Sequence, residues 1–231
     1  MIGCAYGAHI TDRIPPRFPS KKPVSFIVRS RSGNMEKKVS HCRKIPAADG
    51  SRTFHEKPFR VTFVAMPTLR QATKDDIMLI HELAQQAFPA TYRDLLSRDQ
   101  MEFMMDWMYS PANLLKQMEE GHVYFIATHE GEYCGYLSVQ PEEPGIFHLQ
   151  KIYVLPGFQG KHIGSYLFRQ AVSYIRSIHP APCQMRLNVN RYNTRAVEFY
   201  NRMGMKEVER GDFHIGHGYY MTDYIMGLDI A

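Results

Sequence analysis

From Met66 onward the chain alternates between two hydrophobic periods. Thr68-Leu69-Arg70-Gln71-Ala72 reads as a short strand. Thr73-Lys74-Asp75-Asp76 then supplies a capping box, and Ile77, Ile80, Ala84 and Ala87 recur at the steps of one helix face. A second helix is predicted from Ser97, with Gln100 three residues on and Met101, Met104 or Met105, and Met108 along it. Ser110-Pro111 opens a further turn carrying Leu114, Leu115 and Met118. Methionines at this spacing read first as core, although a thioether also adapts to a ligand. The period then changes to two. Val123 to Thr128 and Tyr133 to Val139 are strands joined by His129-Glu130-Gly131-Glu132, a hairpin signal.

The stretch from Phe147 to Ile178 carries the strongest pattern. Phe147 to Val154 is a β-branched and aromatic run of strand length, ended by Leu155-Pro156-Gly157-Phe158. Gln159-Gly160-Lys161-His162-Ile163-Gly164-Ser165 leads into a helix whose buried face is predicted as Ile163, Leu167, Ala171, Tyr174 and Ile178. Met185 to Asn190 alternates as a half-buried strand, a helix follows, then a strand from Met205 to Glu209. Tyr219 to Met226 is the predicted last strand. His214-Ile215-Gly216-His217 spells an adenylate-binding signature of class I aminoacyl-tRNA synthetases. Only 14 residues remain after it, so a turn before the last strand is the expected role.

Residues 1–65 lack this regularity. Pro15-Pro16, Pro19 and Pro23 interrupt the start, and Ser30-Arg31-Ser32-Gly33-Asn34 is polar and turn-like. The expectation is a basic, disordered extension (1–65), foreign to the fold or arising from an early start codon, ahead of one catalytic-sized domain (66–231). Charge follows the same boundary. The net charge of +5 divides into 13 Lys/Arg against 4 Asp/Glu in 1–65, and 15 against 19 in 66–231. The domain is therefore mildly acidic, and nucleic acid is not an expected partner. No apolar run approaches the length of a membrane span, and the Met1 end has no leader-like pattern. Cys4, Cys42, Cys134 and Cys183 form no C-x-x-C pair, which fits a reducing cytoplasm and no metal site.

Strand, glycine-bearing turn and helix start is the arrangement that presents free backbone N–H groups to an anion. The dinucleotide G-x-G-x-x-G spacing is absent, and the P-loop pattern fails because Gly160-Lys161 is followed by His162. With Val154-Leu155-Pro156 before it, the loop Gln159-Gly160-Lys161-His162-Ile163-Gly164 resembles the coenzyme A loop of the GNAT superfamily of N-acetyltransferases, (Arg/Gln)-x-x-Gly-x-(Gly/Ala). His162 replaces the first glycine of that pattern. A second segment, Asn193-Thr194-Arg195-Ala196-Val197-Glu198-Phe199-Tyr200-Asn201-Arg202-Met203-Gly204-Met205, resembles the family's Asn-x-x-Ala-x-x-Phe-Tyr-x-x-x-Gly-Phe, with Met205 for the last aromatic. The two lie about 30 residues apart, in the family's order, and the resemblance covers about residues 66–229.

The resemblance implies an α/β (α+β) fold, a mixed, mostly antiparallel sheet of about seven strands flanked by helices. It implies acetyl transfer from acetyl-CoA to a primary amine of a small molecule or peptide in a ternary complex. The strands at 147–154 and 185–190 would splay apart, with the pantetheine arm on the backbones of Ile152, Tyr153 and Val154. The pyrophosphate would sit on the N–H groups of Gly160, Lys161, His162, Ile163, Gly164 and Ser165, beside Gln159. Lys161 and His162 either add positive charge there or are plain exposed loop residues. Asn193 is a cofactor contact or only the N-cap of its helix. Tyr200 is the expected general acid for the departing thiolate, against a plain core aromatic, since a phenol near ~10 and a thiol near ~8.5 exchange a proton at modest cost.

An alkyl amine of pKa ~10.4 is neutral at pH 7 in only about one molecule in a few thousand, so a base is required. Many members of the family carry a glutamate on the central strand, where this chain has His148 and Gln150. Only His148 can accept a proton, so it is the candidate base, against a buried hydrogen-bonded histidine. A homodimer is an assembly the resemblance allows. The alternative from another class is a GNAT-like module that holds acyl-CoA, or regulates, without turnover.

Overall fold

Thr73 and Asp76 form the reciprocal capping box that the sequence calls for, and Arg70 locks it from the strand before. Its guanidinium donates to both carboxylate oxygens of Asp76, at 2.8 and 2.6 Å, and holds that carboxyl down at about 2. The computed structural model describes residues 65–231, so the expectations placed on 1–65 fall outside the described residues but for the last one. Strand β1 (Thr68–Gln71) leads through a 3₁₀ turn into α1 (Ile77–Tyr92). Helix α2 (Arg98–Tyr109) is capped by Ser97, whose hydroxyl accepts the Gln100 N–H, and α3 (Pro111–Glu119) begins on a proline. The remainder is β2 (Val123–His129), β3 (Glu132–Glu143), β4 (Ile146–Val154), α4 (Ile163–Ile178), β5 (Cys183–Asn190), α5 (Thr194–Arg202), β6 (Lys206–Gly216) and β7 (Tyr219–Ile230).

The seven strands form one sheet in the order β1-β2-β3-β4-β5-β7-β6, antiparallel everywhere except at the parallel β4/β5 pair. The β2–β3 hairpin turns on Glu130 and Gly131, both at positive φ, as a two-residue turn of this hand requires. One face of the sheet carries α4 and α5 over Leu149, Ile152, Leu167, Leu187 and Tyr200. The other carries α1, α2 and α3 over Phe88, Tyr92, Met104, Tyr124, Tyr153 and Met221. Met104 and Met108 are buried there, so the methionine stripe is core.

Two expectations are corrected. Ile178 is exposed, and Ile175 closes the buried face of α4 in its place, because the helix settles on a slightly different stripe. His214 and Ile215 are strand residues rather than a turn. The chain reverses at His217 and Gly218, where Gly216, His217 and Gly218 all have positive φ, and the His217 ring packs on Phe103 of α2.

Candidate active site

Strands β4 and β5 pair only at Ile146, Phe147 and His148, opposite Gln184, Met185 and Arg186. Beyond His148 they have no register with one another, while β4 keeps its pairing to β3 and β5 keeps its pairing to β7. A gap therefore opens inside the sheet, with Ile152, Tyr153 and Val154 along one wall and Leu187 to Asn190 along the other.

At the end of β4 the chain passes through Pro156–Phe158 into α4. Gly160 (φ 79) and His162 (φ 60, ψ 9) are both left-handed, which coils the loop so that α4 starts at Ile163. Among the described residues, the backbone N–H groups of Gly160 to Ser165 have no protein acceptor. That run, at a helix N-terminus, is a ready anion cradle. Lys161 and His162 are exposed, and the Lys161 ammonium lies 5.0 Å from the Phe158 ring centroid. Ile163 and Gly164 are buried. Gln159 turns back to the strand, its Nε2 donating to the Val154 carbonyl at 3.1 Å.

Asn193 caps α5 through its Oδ1, which accepts the Ala196 N–H at 3.3 Å, while its buried Nδ2 makes no hydrogen bond. The cap role and a donor left for another group coexist in one side chain. Tyr200, two turns along α5, is fully buried beside Phe168 and Phe199.

The opposite face of β4 is polar. A bulge at Gln150, skipped between the Ser138–Lys151 and Val139–Leu149 pairs, breaks the alternation there. Gln150 Nε2 donates to Gln140 at 3.0 Å, and Lys151 Nζ to Gln117 Oε1 at 2.7 Å. The Lys151 ammonium also lies over the Tyr109 and Tyr124 rings, at 5.6 and 5.5 Å. Its charge joins burial in keeping nearby His122 neutral, with a pKa driven down to about 2.

His148 stands where the β4/β5 pairing ends. Its Nδ1 is 3.2 Å from Oε1 of Glu142, and its Nε2 is buried with no hydrogen bond. Glu142 is itself a bulge residue, skipped between the Pro141 and Glu143 pairs, which turns its carboxylate across to His148. Sequence reasoning missed Glu142, Lys151 and His122. The two bulges that aim the first two leave no mark in the period, although Glu142-Glu143 before Pro144-Gly145 was visible as a turn. No group of three His, Cys, Asp or Glu side chains among the described residues is placed to hold a metal. No helix among them is long and apolar enough to cross a membrane.

Comparison with known proteins agrees with this architecture. An uncharacterised N-acetyltransferase of Methanocaldococcus jannaschii is 26% identical over 149 residues, covering 62% of this chain and 62% of that protein. Another from Escherichia coli is 28% identical over 102 residues, 43% of this chain and 60% of its own length. The chain thus spans about six-tenths of each of these two relatives. Among solved structures, the PaiA N-acetyltransferase of Thermoplasma acidophilum in complex with coenzyme A superposes with a TM-score of 0.57. It is 22% identical, over 70% of this chain and 98% of that one. The ribosomal-protein-S18-alanine N-acetyltransferase of Escherichia coli gives 0.55 at 18% identity, covering 72% and 95%. The model of the acetyltransferase (GNAT) family matches residues 78–205, more than half of the sequence, with the central strand, the amide-bearing loop and the Asn193 helix all inside the match. The chain belongs to the acetyltransferase (GNAT) family.

Proposed function

We propose that this protein transfers an acetyl group from acetyl-CoA to a primary amine of a small molecule or peptide, by direct attack with both substrates bound. The observation that carries this reading is the interrupted β4/β5 pair, followed at once by six amides without acceptors. An extended arm bearing amides fits between strands that lack partners, and a phosphate fits the amides at the start of α4.

Ile152, Tyr153 and Val154 would hold the arm by their backbones. Gly160 to Ser165 would hold the pyrophosphate, with Lys161 and His162 adding charge and Gln159 supporting the strand end. The buried Nδ2 of Asn193 is a donor suited to the same ligand. Bound acetyl-CoA supplies an acyl group on a thioester.

The chain's residues manage two protons. His148 accepts one from the amine at Nε2, while Glu142 steadies Nδ1, an orientation that leaves the Nε2 lone pair available. Tyr200 gives its phenolic proton to the departing sulfur. The new bond is carbon to nitrogen, the broken bond carbon to sulfur, and the products are an amide and a free thiol. Cys134 and Cys183, both unbridged, suit a cytoplasmic setting.

Tyr200→Phe tests the assignment. It keeps the ring and its packing and removes the proton, so kcat should fall by about 10²–10⁴ with little change in donor affinity. Steady-state thiol release at saturating acetyl-CoA measures it. A fall below about threefold returns Tyr200 to the core. Tight acetyl-CoA binding without thiol release across an amine panel would make the protein a silent acyl-CoA module.

A further inference from the structure

One buried charge has no part in the chemistry above. Asp223 on β7 is 0% exposed, and neither carboxylate oxygen makes a well-formed hydrogen bond. The alternation of β7 sets it in step with Met221, on the sheet face covered by α1 and α2, whereas Tyr224, Met226 and Leu228 face α4 and α5. It pairs across to Asn190, the last residue of the gap's β5 wall, and the side chain of Asn188 from that wall reaches toward the carboxylate closely enough to offset part of the effect of burial. Asn188 and Asn190 are buried, out of phase with Leu187 and Val189 of the opposite core.

The charged groups that face Asp223 are Arg191, from the loop after β5, and Asp212 of β6. Arg191 is engaged elsewhere, because its guanidinium donates to Asp212. The positive charge nearest to Asp223 is thus already balanced. A buried carboxylate in that state either takes a proton or takes a cation from outside. Burial does push this carboxyl up, to about 7, so that near neutral pH it stands between the two choices.

We infer that Asp223 is a specificity residue of the acceptor site, which receives a second positive charge on the acceptor, apart from the amine that reacts. The inference rests on the acetyltransferase reading above. Its geometry follows from the sheet. Arg186 lies opposite His148 and Asn190 opposite Asp223, four steps or about 13 Å further along the strand, and β7 lies two strand spacings, about 10 Å, across from β4. The two functional groups are therefore separated by roughly 16 Å, of which a hydrogen bond at each end takes about 3 Å, leaving on the order of 10 Å between the two nitrogens of the acceptor. An aliphatic diamine of medium length or a short polyamine bridges that distance, and a monoamine does not.

The test uses the full chain with 1,6-diaminohexane and spermidine as probes and n-hexylamine as the singly charged control. Thiol release should show a kcat/KM for the doubly charged acceptors at least about tenfold above the control, the difference lying in KM. Asp223→Asn should reduce that preference to below about threefold. Equal use of the diamine and the monoamine by the wild type, or a preference that survives Asp223→Asn, would overturn the inference and leave the acetyltransferase reading in place. Binding measured without turnover separates the two further. Calorimetry of 1,6-diaminohexane with the wild-type coenzyme A complex at pH 7, in buffers of different ionisation heat, should reveal proton release that n-hexylamine lacks. Its absence overturns the role of Asp223 even if the substituted protein does not fold, and its presence supports that role even if no amine supports thiol release.

Discussion

Replacing Asp223 by Asn removes a charge that the fold bears at a cost, and the size of the effect can be worked out. The carboxyl has an ordinary pKa of 3.8 and a folded value of about 7, raised chiefly by burial and partly offset by the Asn188 side chain and the charge of Arg191. A folded pKa above the unfolded one means that the group's full contribution is present below about pH 3.8. It is lost progressively as the pH rises through about 7. At 1.36 kcal/mol per pH unit, the interval corresponds to about 4 kcal/mol. Asn has nearly the same shape and no charge to bury. The stability of Asp223→Asn relative to wild type should therefore climb by about 4 kcal/mol between pH 4 and pH 8, then level off. Urea unfolding of both proteins at several pH values measures this, and titrations common to both cancel in the difference. A difference that stays flat across the range would show that the carboxyl is solvated or paired in the native protein, and the argument from burial would fail.

Three other outcomes are expected. Gly164→Val should abolish acetyl-CoA binding in calorimetry while the fold persists, because a branched side chain at the start of α4 intrudes on the amides of the loop; near-normal affinity would mean that the loop holds no phosphate. His162→Gly should leave stability unchanged or raise it by up to about 1 kcal/mol in denaturant melts. Glycine occupies φ 60 without the penalty of a side chain, although it gains entropy when unfolded. A loss greater than about 1 kcal/mol would assign the His162 side chain a contact that offsets its strain. Leu167→Ala, at a fully buried position on α4, should cost about 2–5 kcal/mol, and a loss below about 1 kcal/mol would mean that α4 packs loosely on the sheet.

The parts of the fold that were legible in the sequence rest on local chemistry. Ser97 with Gln100, Thr73 with Asp76, Glu130-Gly131 and Asn193 all act within a few residues of themselves, and each is found in the role its neighbours dictate. The strands followed from period two as long as that period was unbroken. It is broken at Gln150 and at Glu142, where bulges change which face a residue serves, and the polar side of β4 could not be assembled without the pairing register. The β6–β7 reversal was misplaced for a related reason, since Gly216 looked like the turn and is the last strand residue before it. Asp223 was within reach. An aspartate two residues after Met221 in a clean alternation occupies a core position, and a charge in a core position marks a site.

The interrupted β4/β5 pair has a mechanical meaning for the whole sheet. Four strands, β1 to β4, lie on one side and three, β5, β7 and β6, on the other, and among the described residues three residue pairs ending at His148 and Arg186, with the Gln184 N–H donating to the Gly145 carbonyl, form the backbone seam between them. Past His148 the two leaves are joined by side-chain packing with α4 and α5 rather than by strand pairing. On the proposed function, a ligand inserted between the leaves would act as a temporary strand. The free energy of its binding is then also stability of the sheet, and the amides of Leu149 to Val154 that face the gap should pass from fast to slow hydrogen exchange as it enters. On the proposed function, the substrate itself would close the seam.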